Sequence, residues 1–197
     1  MKSYDTSEIR RLIRSRRSVF PAQYSGEVIE KEIIEEILEN ANWAPTHKFS
    51  EPWRFTVFSG DGLRKLADFM SELYKKVTFE NGSFDEGKYE KLKNKPLISS
   101  HIVAIGMKRD KLERVPEIEE IEAVACAVQN MYLTATAHGI GCYWGSGGVT
   151  YFEEAKSFFN LGKKDKLLGF MFFGIPKSEL QSGRRKPIHE KVKWVEG

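Results

Sequence analysis

Arg16, Arg17 and Ser18 stand side by side at the end of an amphipathic N-terminal stretch. Two guanidinium forks beside a hydroxyl are a natural set for holding a phosphate. Taken alone, the same residues are also what a solvated basic helix face looks like. A second candidate clamp, Arg184-Arg185, lies near the C-terminus. Residues 43–55, WAPTHKFSEPWRF, gather two Trp, two Phe, two Pro and His47. That stretch could be a core seam, a metal or acid–base centre around His47, or a pocket for something flat and aromatic. In YWGSGG (143–148), Gly and Ser would let the backbone come close to a ligand, or simply make a tight turn.

Other chemistries find little support. The four His (47, 101, 138 and 189) share no metal-ligand spacing. No GxSxG elbow accompanies a candidate base. Gly139, Gly141 and Gly145 imitate a dinucleotide fingerprint, but they follow a helix and enter a strand, the reverse of the order that motif needs. A phosphate clamp together with an aromatic-rich pocket suggests a flavin mononucleotide (FMN) or a nucleotide. A flavin would also use backbone N–H donors of the YWGSGG kind, because reduction places electron density at the ring.

The elements that must position these residues are legible from periodicity. Asp5 and Glu8 have capping-box spacing, and Ile9, Leu12 and Ile13 line one face of a first helix. A second helix is expected from about Val28 to Asn42 and stops before Pro45. WRFTVFS (53–59) predicts a strand, and Leu63 to Tyr74 a third helix. Residues 78–96 are polar and poorly periodic, a mobile flap or a plain solvated insertion. LISSHIVAIGM (97–107), IGCYWGS (140–146) and LLGFMFFGIP (167–176) predict further strands, and YFEEAKSFFN a short helix. Residues 117–138 predict a long helix whose second half is apolar almost all round, so it belongs in the core or at a subunit interface. Helices and strands mix without strict alternation, which predicts an α+β arrangement of one domain, residues 1–197.

The chain has 197 residues, with 41% hydrophobic and 30% charged. Lys plus Arg (31) exceeds Asp plus Glu (28) by too little to argue for nucleic acid. The charged N-terminal segment lacks the apolar core of a secretory signal, and no apolar run reaches membrane-spanning length. Cys126 and Cys142 lie far apart without ligand spacing and are expected to be small buried residues, which fits a reducing cytoplasm.

Taken in order, SRRSV (15–19), WAPTHKFSEPWRF, AHGIGCYWGSGG (137–148), LLGFMFFGIP and RRKPIHEKV (184–192) resemble the nitroreductase family of FMN-dependent oxidoreductases, in its small single-domain branch. The resemblance spans nearly the whole chain. It implies an α+β fold with a central, mostly antiparallel sheet flanked by helices, and an intertwined homodimer with FMN at the subunit interface. It further implies that Arg16, Arg17 and Ser18 hold the FMN phosphate and ribityl region and that Arg185 completes the clamp. Trp144, Gly145, Ser146 and Gly147 would line the ring and ribityl, while His47 would reach the flavin of the partner subunit with Trp43 nearby. Glu51 departs from the Gln that commonly precedes Pro-Trp, and WGSGG carries an extra residue. The implied activity is ping-pong transfer from NAD(P)H to nitroaromatics, quinones or activated alkenes, with no catalytic side chain and no metal. Two other readings are a flavin-binding sensor without turnover and a basic nucleic-acid module built on Arg10–Arg17.

Overall fold

The computed structural model describes residues 3–197. Met1 and Lys2, which open the charged N-terminal segment and the expected 1–197 domain, lie outside the described residues. Helix α1 (Thr6–Ser15) starts where the Asp5 carboxylate accepts from the N–H groups of Ser7 (2.8 Å) and Glu8 (3.4 Å), satisfying donors the helix leaves open. No residue of α1 is buried, and its apolar Ile9 and Ile13 are 45% and 52% exposed. Helix α2 (Lys31–Asn42) buries Ile34, Ile37 and Ala41 at helical spacing. Strand β1 (Trp53–Ser59) coincides with the predicted one, and α3 (Asp61–Glu80) runs beyond Tyr74.

Residues 78–96 are not a bare solvated insertion. They finish α3 and then form α4 (Glu86–Asn94), with Phe84, Tyr89 and Leu92 packed against the core. The polar composition hid this helix because Tyr89 and Leu92 are its only apolar residues turned to the core. Strand β2 (His101–Met107) is shorter than the predicted 97–107, since Pro96 favours a 3₁₀ turn over 95–98. Helix α5 (Glu117–Ala137) leads into β3 (Gly141–Gly145), and β4 (Lys166–Gly174) closes the sheet. YFEEAKSFFN folds as 3₁₀ turns rather than an α-helix.

The four strands pair antiparallel throughout, in the order β1-β2-β4-β3. One face, including Val103, Ile105, Cys142, Met171 and Phe173, is covered by α2 and α5. The other, including Phe58, Ile102, Phe170 and Phe172, is covered by α3, α4 and the 3₁₀ turns. This is the expected α+β architecture, a mostly antiparallel sheet flanked by helices. The core face of α5 carries Val124, Ala127, Val128, Met131 and Ala135. Cys126 was expected to be buried but is exposed, because it falls on the opposite side of that helix; Cys142 is buried. Glu120 is fully buried on α5, accepting from the Arg109 guanidinium and from the Asp110 N–H (2.7 Å). Among the described residues, no helix is long and apolar enough to cross a membrane.

The N-terminal segment is stitched to the sheet edge. Ser18 bridges Cys142 in parallel, and the Val19 N–H donates to the Cys142 carbonyl (2.9 Å). The buried Tyr24 hydroxyl lies within hydrogen-bond distance of the Val19 and Phe172 carbonyls (2.9 and 3.0 Å).

Candidate functional site

At the end of α1 the backbone turns extended at Arg16 and delivers three guanidiniums to one place. Arg14, Arg16, Arg17 and Arg185 line a groove of about 610 Å³ together with Ile13, Gln129 and Gly183. Among the described residues no carboxylate lines it, so its lining is positive and uncompensated from within. The Arg16 guanidinium lies over the Tyr132 ring, 4.8 Å from its centroid, which fixes the side chain without consuming its donors. Arg17 has a different task. Its Nε donates to the Gln181 carbonyl (3.0 Å) and its Nη1 to the carbonyls of Arg14 (2.6 Å) and Arg16 (2.7 Å). A β-carbon at position 183 would lie 2.6 Å from Arg17 Cζ, so the C-terminal segment passes close to this guanidinium where Gly183 has none. Arg17 thereby ties the tail to α1 and brings Arg185 to the groove. Arg185 itself is exposed and donates to the Arg184 carbonyl (2.7 Å). The donor set suits a phosphate, and in that respect the residues present fit FMN.

Tyr132 connects this groove to the glycine loop. Its hydroxyl accepts from the Trp144 N–H (2.7 Å), on the strand that ends at Gly145. Burial pushes the phenol above its ordinary pKa, while Ser18 and the Trp144 N–H beside its oxygen pull the other way. Ser18 is exposed at the sheet edge, between the groove and β3. Beyond Gly145, Ser146 and Gly147 are exposed, and a β-carbon at Gly147 would meet nothing within 4 Å. The loop backbone is therefore open to close approach. Gly169 lets β4 pass it: φ is +128°, and a β-carbon there would come within 2.4 Å of the Gly145 carbonyl oxygen.

Trp144 is placed differently from the rest of its motif. Its indole turns to the α2/α5 face, where Nε1 donates to the Leu168 carbonyl (3.1 Å) and the ring packs against the core. His47 and Trp43 also stand apart from the groove within one chain. His47 Nδ1 meets Glu119 Oε2 at 2.5 Å, in the first turn of α5, whereas the groove meets that helix at Gln129. At 1.5 Å per residue those positions are about 15 Å apart along the axis. Trp43 is 79% exposed, its indole donating to Glu39 (3.2 Å). The loop that follows His47 is held in an unusual conformation: Lys48, Phe49 and Glu51 all have positive φ. The Thr46 hydroxyl fixes it, accepting from the Glu51 N–H (3.0 Å) and meeting the Ser50 hydroxyl (3.0 Å). Glu51 thus serves through its backbone, its carbonyl accepting from Arg54 (2.9 Å).

Sequence reasoning missed Tyr132, Gln129 and Gly183. The first two share the inner helix α5 at a spacing of three, a weak signal within an apolar run; Gly183 precedes the Arg-Arg pair it positions.

Among other proteins, the profile described as the Nitroreductase family matches residues 13–175. YfhC of Bacillus subtilis, which carries the provisional name NAD(P)H nitroreductase, is 28% identical over 186 residues, 94% of this chain and 93% of its own. YdjA of Escherichia coli, provisionally named in the same way, is 29% identical over 156 residues, 79% of this chain and 82% of its own. A nitroreductase-like family protein from Bacillus cereus superposes with a TM-score of 0.80 at 28% identity, covering 100% of both chains. A nitroreductase from Bacteroides fragilis, solved with bound FMN, shares the fold at TM-score 0.70 and 21% identity, over 97% of this chain and 100% of its own. With the profile spanning most of the sequence and the arginine groove joined to the glycine loop, this chain belongs to the nitroreductase family.

Proposed function

We propose that this protein is an FMN-dependent oxidoreductase that uses NAD(P)H to reduce nitroaromatics, quinones or similar electron-poor acceptors, working as a homodimer with the flavin at the subunit interface. The observation that carries this reading is the groove in which Arg16, Arg17 and Arg185 converge, joined through Tyr132 to the open backbone after Gly145. Bound FMN would supply the two-electron redox chemistry, so no catalytic side chain is needed. Arg16 and Arg185 would hold the phosphate, with Arg17 fixing the tail that carries Arg185. Ser18 would face the ribityl chain, and the backbone of Gly145, Ser146 and Gly147 would face the ring, where fixed N–H dipoles favour added electron density.

The subunit arrangement is supported by what a single chain leaves uncovered. Ile9 and Ile13 on α1, Cys126 on the outer side of α5, and Trp43 and Phe49 in the His47 loop are all exposed. Since His47 stands about 15 Å along α5 from the groove of its own chain, it would serve the site of a second copy packed against that helix. The decisive experiment is an absorbance spectrum of the purified protein followed by anaerobic titration with NADH and NADPH. A flavin band that bleaches supports the proposal. Protein that stays colourless after incubation with FMN overturns it, and bound FMN that neither nucleotide reduces points to a flavin-binding sensor.

A further inference from the structure

A cleft of about 510 Å³ opens where β1 ends and β2 begins, and it shares no lining residue with the arginine groove or the glycine loop. Its deep side is polar, made of Ser99, Ser100 and His101, all buried. Ile29 and Leu63 close it from below, while Val28 (81% exposed) and Leu97 give it an aliphatic rim. The N-terminal ends of two helices also reach it, α2 at Glu30-Lys31 and α3 at Gly60.

The hydrogen bonds of the polar side leave donors without acceptors. The Ser100 oxygen accepts from the Ile29 N–H (2.7 Å), and its own proton then has His101 Nδ1, at 2.9 Å, as its acceptor. With Nδ1 accepting, a neutral imidazole carries its proton on Nε2. Burial keeps the ring neutral by holding it below the ordinary histidine pKa. His101 is 5% exposed, and among the described residues its Nε2–H meets no acceptor. The Ser99 hydroxyl, in a residue 6% exposed, has no partner either. Folds rarely leave such groups unanswered, since each costs the desolvation of a polar atom. Among the described residues, neither helix end is capped by a side chain: Glu30 makes no such bond, and Gly60 has none to offer. Their first-turn N–H groups join the same set of donors, and the positive ends of two helix dipoles amount to roughly one elementary charge.

We infer that this cleft binds a short-chain aliphatic monocarboxylate, its oxygens accepting from His101 Nε2–H, the Ser99 hydroxyl and the first-turn N–H groups of α2 and α3, its chain lying on Val28 and Leu97. The charges nearby select among anions. Lys31 is already paired with Glu35 (2.9 Å), and the carboxylates of Glu30 at the rim and of Glu32 and Asp61 in the first turns oppose further negative charge. A phosphate dianion meets that opposition twice over, and among the described residues no arginine lines the cleft to offset it. A monoanion is matched by the two dipoles. No Phe, Tyr or Trp of the described residues lines the cleft, so an aromatic ring has nothing to stack on. Ser100 is no nucleophile here, because its oxygen already accepts from Ile29 and its proton holds the imidazole tautomer. No residue of the cleft belongs to the proposed flavin site, so occupancy is expected with or without FMN.

The test is a ¹H–¹⁵N NMR titration of the whole protein, with and without FMN, using isovalerate, its neutral counterpart isovaleramide, and inorganic phosphate. Isovalerate should shift the amides of Lys31, Glu32 and His101 in a saturable way and bind about 3- to 30-fold more tightly than the amide, the scale of two helix ends. His101→Phe should weaken it about 2- to 10-fold, and His101→Gln, which keeps an N–H donor, should retain most of the affinity. Ser99→Ala should weaken isovalerate while raising the unfolding midpoint of the free protein, because it removes a buried hydroxyl that the fold does not satisfy. If His101→Phe fails to fold, Ser99→Ala decides by that pair of opposite changes. Equal binding of acid and amide overturns the inference, as does tighter binding of phosphate. So does isovalerate affinity that survives in every folded variant, or a set of shifts that falls outside the cleft.

Discussion

If the arginine groove holds the FMN phosphate, its two principal cations should contribute unequally. Arg16 is half-buried and held over the Tyr132 ring at 4.8 Å, so little side-chain freedom remains to be lost when a phosphate arrives. A charge-assisted hydrogen bond at such a site contributes about 1.5–3 kcal/mol. Arg16→Ala should therefore weaken FMN binding about 10- to 150-fold. Arg185 is exposed on the C-terminal segment and must be ordered on binding, so solvent and salt screen it; about 0–1 kcal/mol, at most about fivefold, is expected for Arg185→Ala. The assay is quenching of FMN fluorescence by apoprotein at two ionic strengths. The effect of Arg185→Ala should shrink markedly at high salt, while that of Arg16→Ala persists. Affinity unchanged within twofold in both variants would refute the assignment of the groove to the phosphate, and a larger loss for Arg185 would refute the ordering argument.

Other consequences follow from the packing. Glu120→Ala removes the anion facing the nearly buried Arg109 and should cost about 3–5 kcal/mol, read as a lower urea midpoint at constant m. Gly169→Ala forces an alanine to φ +128° against the Gly145 carbonyl; a loss of at least about 1–3 kcal/mol in thermal unfolding is expected, with a shift in Trp emission as Trp144 is displaced. In a Cys126→Ser background, the native protein should show no thiol reactive to a disulfide reagent at pH 8 and one after denaturation, because burial pushes Cys142 up to about 12. The sign for stability follows. The folded thiol keeps its proton where the unfolded one has lost it, so this contribution is intact below the ordinary thiol pKa of 9.0 and is lost progressively as pH rises toward about 12. Denaturant midpoints measured across that range should fall with pH, and less steeply in Cys142→Ala.

Much of this was legible in the sequence because one physical signal dominated each element. Asp5 announced α1, alternating and apolar runs announced β1 and β4, and the apolar half of α5 announced a helix for the core or a subunit interface. Helix α4 was not legible, since within Glu86–Asn94 only Tyr89 and Leu92 pack against the core and the rest of its residues are polar or glycine. The left-handed run at Lys48, Phe49 and Glu51 was hidden because no glycine marks it. Cys126 was misjudged because helical phase within an all-apolar stretch cannot be read from hydropathy alone. In the candidate site, the arginines and glycines were visible as residue types. What joins them, Tyr132 beneath Arg16 and Gly183 beside Arg17, depends on tertiary proximity that no spacing encodes.

The groove draws on the end of α1, the middle of α5 and a tail that returns only after the whole sheet has been made. No local segment contains it, and its closing contact, Arg17 with the Gln181 carbonyl, joins opposite ends of the chain. Anion affinity thus depends on long-range loop closure, because no part of the groove forms from local contacts alone. If these contacts form after the transition state, a phosphate ligand should act as a brake on unfolding and leave the rate of folding untouched. A nick in the exposed tail before Arg185 should weaken the ligand no more than Arg185→Ala does, while the sheet stays whole.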